Sequence, residues 1–280
     1  DRGLELSPSD IVKSYIIGKY EQDDETGKQI FNNNWKNIED LSKQYGFKID
    51  DFVVFYEYYK LKSNPKRQVV DELRDIIQRS DVYELVAELH SFSESLKKVY
   101  ESNNPVILSL RYIPWKFYVM TALTSAYQVN YPEKDKLFKE IRRFFYISLT
   151  AGCTLNQIKQ TSFKLIESIV NGNSIDEIKE DLNRTIISRR MYAKVYDALD
   201  NDVYNEKFLK PLMLSLEYEI REKTDKSFYS LDNTLHMDHI LPRAYKQNDE
   251  WNYIKDEEVW PEINGLGNIC LLYTSPSPRD

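Results

Sequence analysis

The chain is short of cysteine, of long apolar runs and of net positive charge, and each shortage removes a class of protein. Two cysteines, Cys153 and Cys270, in 280 residues cannot build a disulfide framework, and such sparing use suits a reducing cytoplasm. No apolar run reaches the roughly eighteen residues that a membrane span needs, so no membrane partner is expected. No secretory leader is visible either, although the chain opens on Asp1 rather than Met and its true start is expected upstream. A net charge of -7 argues against a protein that coats nucleic acid by bulk electrostatics, while leaving room for a local basic groove. No repeat of fixed period stands out, so a solenoid is not expected. What is present, 41% hydrophobic and 30% charged residues, places the chain with soluble globular proteins, at a length for one large domain or two modest ones.

From about residue 8 to residue 222 the apolar spacing is helical. Ser7-Pro8-Ser9-Asp10 supplies a cap and first turn for a helix through Ile11, Tyr15 and Ile16. Leu85, Leu89, Phe92, Leu96 and Val99 form one stripe, and Leu137, Ile141, Phe144 and Phe145 form another that stops near Ala151-Gly152. Thr154 can cap the next helix, which carries Ile158, Phe163, Leu165, Ile166 and Ile169. Ser174 and Glu177 have the spacing of a reciprocal capping box. Pro65, Pro105, Pro114 and Pro132 punctuate helix starts or connections. A last helix is predicted over residues 206 to 222, carrying Phe208, Leu212, Leu214 and Leu216. Phe52, Phe55, Tyr56, Tyr58 and Tyr59 would suit a base-stacking platform, but at helical spacing they read more readily as core. Arg142-Arg143 and Arg189-Arg190 offer phosphate contacts on paper, whereas paired charges on helices more often lie on solvated faces.

After residue 222 the helical period is lost. Residues 234 to 240 suit a short strand ended by Pro242, and a second strand is predicted from Asn268, with Gly265 and Gly267 marking the turn into it. Two of the three histidines fall here, within His236-Met237-Asp238-His239-Ile240-Leu241-Pro242. An imidazole titrating near neutrality can take a proton from water, and a carboxylate is a natural hard ligand for Mg²⁺. A base with a cation suffices for phosphodiester hydrolysis. Three other readings stay open for the motif alone: a structural histidine, a chance string, or a zinc site short of ligands.

The residues on either side favour one reading. Asp238-His239-Ile240-Leu241-Pro242, then Trp251, then Asn264-Gly265-Leu266-Gly267-Asn268-Ile269, resemble the C-terminal nuclease domain of GmrSD-type (type IV), modification-dependent restriction endonucleases. Upstream, Arg2-Gly3 followed by Leu6-Ser7 and Asp10 resembles the close of the same family's N-terminal ParB-like domain. The resemblance implies a mainly α fold: a multi-helix body followed by a small, truncated ββα (HNH, or His-Me finger) nuclease domain. The segments would be 1–25, the end of the ParB-like nucleotide-handling domain; 26–222, the helical body; and 223–269, the nuclease domain. Residues 270–280 match one reading frame of a transposase sequencing adapter and are read as a library scar.

Carried over position by position, the resemblance implies His239 as general base, Asp238 as ligand of Mg²⁺ or another divalent cation, and Asn268 as the asparagine that braces the hairpin. His236 is left as an auxiliary that approaches phosphate or caps the strand. The family's last metal ligand, an Asn or His on a helix after residue 269, is expected to be missing, so the fragment itself should be weakly active or inactive. A nucleotide would enter only through the missing N-terminal domain. The implied activity of the parent protein is cleavage of foreign, modified phage DNA in a cytoplasmic defence system. The competing classes are a non-catalytic helical interaction module with a degenerate motif and an RNA-cleaving antiviral nuclease.

Overall fold

The structure is a computed structural model that describes residues 6–221, 235–247, 251, 253–254 and 262–273. Arg2-Gly3, Thr234 and the 274–280 end of the adapter-like segment lie outside the described residues, as does the polar stretch after Glu222. In chain order the helices are α1 (Pro8–Ile17), α2 (Glu25–Tyr45), α3 (Ile49–Leu61), α4 (Val69–Arg79), α5 (Val82–Glu101), α6 (Pro105–Leu110), α7 (Lys116–Gln128), α8 (Lys134–Thr150), α9 (Leu155–Val170), α10 (Ile175–Ser188), α11 (Met191–Leu199) and α12 (Leu209–Arg221). Two strands follow, β1 (Leu235–His239) and β2 (Ile269–Tyr273), paired antiparallel. The fold is mainly helical with a small two-stranded sheet. No helix among the described residues is long and apolar enough to cross a membrane.

The chain divides into two compact units that alternate along the sequence: residues 1–102, 115–137 and 155–180 in the first, and 103–114, 138–154 and 181–280 in the second. In the first unit α7 is buried on every side and packs against α5, α3 and α9. Six of its nine buried positions are small or slender (Val119, Thr121, Ala122, Thr124, Ser125 and Ala126), which lets neighbouring backbones come close. The α5 stripe predicted from spacing, Leu85 to Val99, is buried as expected. The aromatic run on α3 is core. Phe52, Tyr56 and Tyr59 pack on Phe92, Phe55 on Phe117, and Tyr58 on Tyr118 and Phe163. Local signals set the helix starts. Ser7 and Asp10 cap α1 reciprocally, and Ser174 and Glu177 exchange the same two bonds at α10.

In the second unit the arginine pair of α8 serves the fold. Arg143 bonds Glu140, Asn183 and the Tyr192 hydroxyl, and Arg142 pairs with Glu219. Tyr146, buried on the same helix, reaches the carbonyl oxygens of Ser109 and Pro211 at 2.9 and 3.2 Å. Arg189 and Arg190 are exposed at the entry to α11, where Arg190 takes a left-handed conformation with φ 50°.

Two apolar clusters carry the sheet. Val203, Phe208, Leu209 and Ile269 form one, with Met237 and Leu266 against it; Leu214, Tyr218 and Leu235 form the other, with Leu271 against it. The α12 helix thus lends its apolar face to the hairpin, which a lone two-stranded ribbon would need for stability. β2 starts at Ile269, one residue later than the sequence suggests, because Asn268 ends a 3-10 turn, its amide bonded back to Gly265 and its side chain to Leu241. Cys270 to Tyr273, inside the adapter-like segment, complete the pairing opposite Asp238 to Leu235.

Candidate functional site

Strand alternation sorts the histidine motif onto two faces. Leu235, Met237 and His239 point toward the apolar clusters and are buried or half-buried, whereas His236 and Asp238 are exposed on the other face. Asp238 and His239 therefore face apart. The Asp238 carboxylate turns back locally, its Oδ1 accepting the His239 amide at 2.8 Å. His236 lies opposite Leu272 in the register and comes near neither His239 nor Asn268 through any bond among the described residues.

Just past β1 the chain is clamped by Asn268. The Ile240 amide donates to the Asn268 carbonyl at 2.8 Å, which extends the ladder by one step. The side chain then does more: its Oδ1 accepts the Leu241 amide at 2.8 Å, and its Nδ2 donates to the carbonyls of Leu241 (3.1 Å) and Ile263 (2.8 Å). One amide so satisfies both backbone groups of Leu241, in the loop where strand pairing has ended and they would otherwise need water. This holds the exit from β1, and with it the backbone that carries His239.

The imidazole of His239 is held by residues that the motif reading did not include. Its Nε2 lies 3.0 Å from Asn264 Oδ1, and its ring stacks on Tyr204 with centroids 4.2 Å apart and planes 25° from parallel. Arg243 donates to the same Oδ1 through Nε (3.2 Å) and Nη2 (2.7 Å), and its guanidinium lies 4.7 Å from the centre of the Tyr204 ring. On its other side Asn264 Nδ2 donates to Asp202 Oδ2 at 2.7 Å, while Asp202 Oδ1 accepts the Tyr204 amide at 3.1 Å. The Asn264 carbonyl also accepts from the Val203 amide at 3.1 Å, pinning the two segments together.

The direction of these bonds can be read without seeing hydrogens. A guanidinium only donates and a carboxylate only accepts. Asn264 must then turn its oxygen to Arg243 and its nitrogen to Asp202. Facing that oxygen, His239 Nε2 carries the proton, and Nδ1 is the nitrogen left with a lone pair. Two of the five N–H groups of Arg243 serve Asn264, and the side chain is exposed. The site thus offers an imidazole whose Nδ1 is free of these bonds, next to an exposed cation.

Its fit to a divalent cation is poorer. Among the described residues no group of three or more His, Cys, Asp or Glu side chains is placed to hold a metal ion. Asp238 sits on the face opposite His239, and Asp202 spends both carboxylate oxygens on Tyr204 and Asn264. These residues do not on their own make a cation site.

An open cleft of about 790 Å³ reaches Asp202 from Gly152, Lys194 and Lys207. Its lining acids, Asp197, Asp202 and Glu206, outnumber its two lysines, so it does not attract a phosphate by charge.

Of the four residues named from sequence, the structure brings His239 and Asn268 into one loop junction and leaves His236 and Asp238 outside it. Asn264 and Arg243 were within reach of a sequence reading, one inside the Asn-Gly-Leu-Gly-Asn string and the other next to Pro242. Asp202 and Tyr204 were not, because they come from the turn before α12, with Asp202 62 positions before Asn264. Comparison with family models, with curated proteins and with solved structures gives no match for this chain.

Proposed function

We propose that this chain carries the hydrolytic site of an HNH-type endonuclease, whose parent protein cuts phosphodiester bonds in foreign, modified DNA as part of a defence system. In this reading β1 is the first strand of its ββα unit, and β2, which past Ile269 runs into the adapter-like segment, stands in the place of the second. The observation that supports it best is the His239–Asn264–Asp202 chain, which leaves His239 Nδ1 as an oriented base beside the Arg243 guanidinium. Nδ1 takes a proton from water as the water oxygen attacks phosphorus. The new P–O bond forms as the bond to the leaving sugar oxygen breaks, and that oxygen takes a proton from solvent water. The N–H groups of Arg243 not spent on Asn264 face the charge that grows on the phosphoryl oxygens. Tyr204 keeps the imidazole plane from rotating. Dependence on Mg²⁺ or another divalent cation belongs to the proposal through the family resemblance; the described donors offer Asp238 alone, so no step is written through the ion.

The test uses protein expressed over its complete gene, in excess over supercoiled plasmid in unmodified and base-modified forms and over an RNA of matched length, with Mg²⁺ or with EDTA. The proposal expects nicked and then linear plasmid, with EDTA suppressing the reaction. Cleavage of RNA alone would transfer the chemistry to an RNA substrate, and intact plasmid and RNA would leave a non-catalytic helical module.

A further inference from the structure

Tyr204 N–H at one end and the Arg243 guanidinium at the other are obligate donors, and between them lie only Asp202 and Asn264. With an acceptor-only carboxylate at position 202, one arrangement satisfies every group: Tyr204 N to Asp202 Oδ1, Asn264 Nδ2 to Asp202 Oδ2, and Arg243 and His239 to Asn264 Oδ1. Rotating the Asn264 amide by half a turn would set its nitrogen against the guanidinium and its oxygen against a carboxylate. Both contacts would then be repulsive.

From this we infer that Asp202 is a positioning residue for His239: acting through Asn264, it selects the tautomer protonated at Nε2 and keeps Nδ1 open. The inference deepens the reading of His239 as a base and rests on it for its catalytic meaning, but the tautomer itself is a property of the folded chain. Asp202 touches neither the imidazole nor any reacting atom. It supplies a charged acceptor whose 2.7 Å bond is of the short, charge-assisted kind, and it does so from the turn before α12, outside the histidine motif.

Asp202→Asn discriminates because it changes almost no volume and removes the one acceptor-only group. The new amide must still offer its oxygen to Tyr204 N, so its nitrogen meets Asn264 Nδ2, donor against donor. Asn264 is then oriented from the Arg243 side alone, and the hold on a single His239 tautomer weakens. The experiment is ¹⁵N NMR of the full chain labelled at histidine, about two pH units above the ordinary histidine pKa so that imidazoles are neutral. The three histidines, His90, His236 and His239, are assigned with His239→Ala. Wild type should show His239 with a pyrrole-like Nε2 and a pyridine-like Nδ1. Asp202→Asn and the control Asn264→Leu should each raise the Nδ1-protonated population about tenfold or more, with circular dichroism unchanged. A wild-type His239 protonated at Nδ1 overturns the inference, and so does a redistribution in Asn264→Leu that Asp202→Asn does not share. Where cleavage is measurable, Asp202→Asn should lower kcat about 10- to 100-fold, the usual cost of losing an orienting partner. An unaltered kcat with a redistributed tautomer would also overturn the catalytic half. Absence of any nuclease activity together with the expected tautomers would remove the proposed function and leave the positioning role standing.

Discussion

Asn268→Ala tests how much the loop junction depends on one side chain. The substitution removes bonds from Asn268 to the Leu241 amide, the Leu241 carbonyl and the Ile263 carbonyl, of 2.8, 3.1 and 2.8 Å. At a net worth of about 1 kcal/mol each, they amount to about 3 kcal/mol. Asn268 is only half-buried, so water can re-enter after truncation, and the expected loss is about 2 kcal/mol rather than the full value. Against a total stability of order 5–15 kcal/mol this is a large fraction. The loss should also be local, because the apolar clusters that hold β1 and β2 on α12 do not involve the Asn268 side chain. Urea unfolding followed by far-ultraviolet circular dichroism gives the global cost, and amide hydrogen exchange at Leu241 and Ile240 gives the local one. Asn268→Asp adds a second arm. It keeps an acceptor for Leu241 N but sets a carboxylate against two carbonyl oxygens, and it should be at least as damaging as alanine at neutral pH. A loss below about 0.5 kcal/mol with Leu241 protection unchanged would refute the clamp.

Two further predictions concern the helical scaffold. Glu57 is buried with Oε1 lacking a partner among the described residues, and burial followed by the Glu72 carboxylate pushes its pKa from 4.5 up to about 7. An acid raised in the fold holds its proton more tightly there than when unfolded, so its contribution is most favourable below about pH 4.5 and is lost as pH rises through about 7. Glu57→Gln should therefore match wild type near pH 4.5 and exceed it above pH 7 by about 2 kcal/mol, after discounting the full shift for solvent screening. Equal pH profiles in urea unfolding would contradict this. Tyr146→Phe removes the hydroxyl that reaches the Ser109 and Pro211 carbonyls and should cost about 1–2 kcal/mol in the same assay. An unchanged midpoint would show that neither carbonyl depends on it.

The scaffold was legible wherever its signals were local. The Ser7–Asp10 and Ser174–Glu177 caps, the α5 stripe and the core role of the α3 aromatics all depend on spacing within one helix, and spacing is what a sequence displays. α12 starts at Leu209 rather than at the expected 206, because Glu206 to Phe208 are helix-compatible in type yet belong to the turn before the helix. Arg143 could not be assigned from sequence for a similar reason. Its partners Asn183 and Tyr192 lie on other helices, and nothing nearby in the chain announces them. The site divides the same way. The placement of Asp238 and His239 on opposite faces of β1 comes from the structure, whereas the Asn268 junction lies inside a recognisable string. The set that holds the imidazole joins the Asp202–Tyr204 turn to Arg243 and Asn264, and only the fold brings these together.

The central claim, that His239 is the base of a phosphodiester-cleaving site, is tested most directly by the rate of plasmid nicking in His239→Ala against wild type, each expressed over the complete gene. His236→Ala, which alters the opposite face of β1, serves as the matched control. His239→Ala should lose at least about 100-fold, in the range of a lost general base, and His236→Ala should change by less than about threefold. Equal nicking by wild type and His239→Ala would contradict the claim.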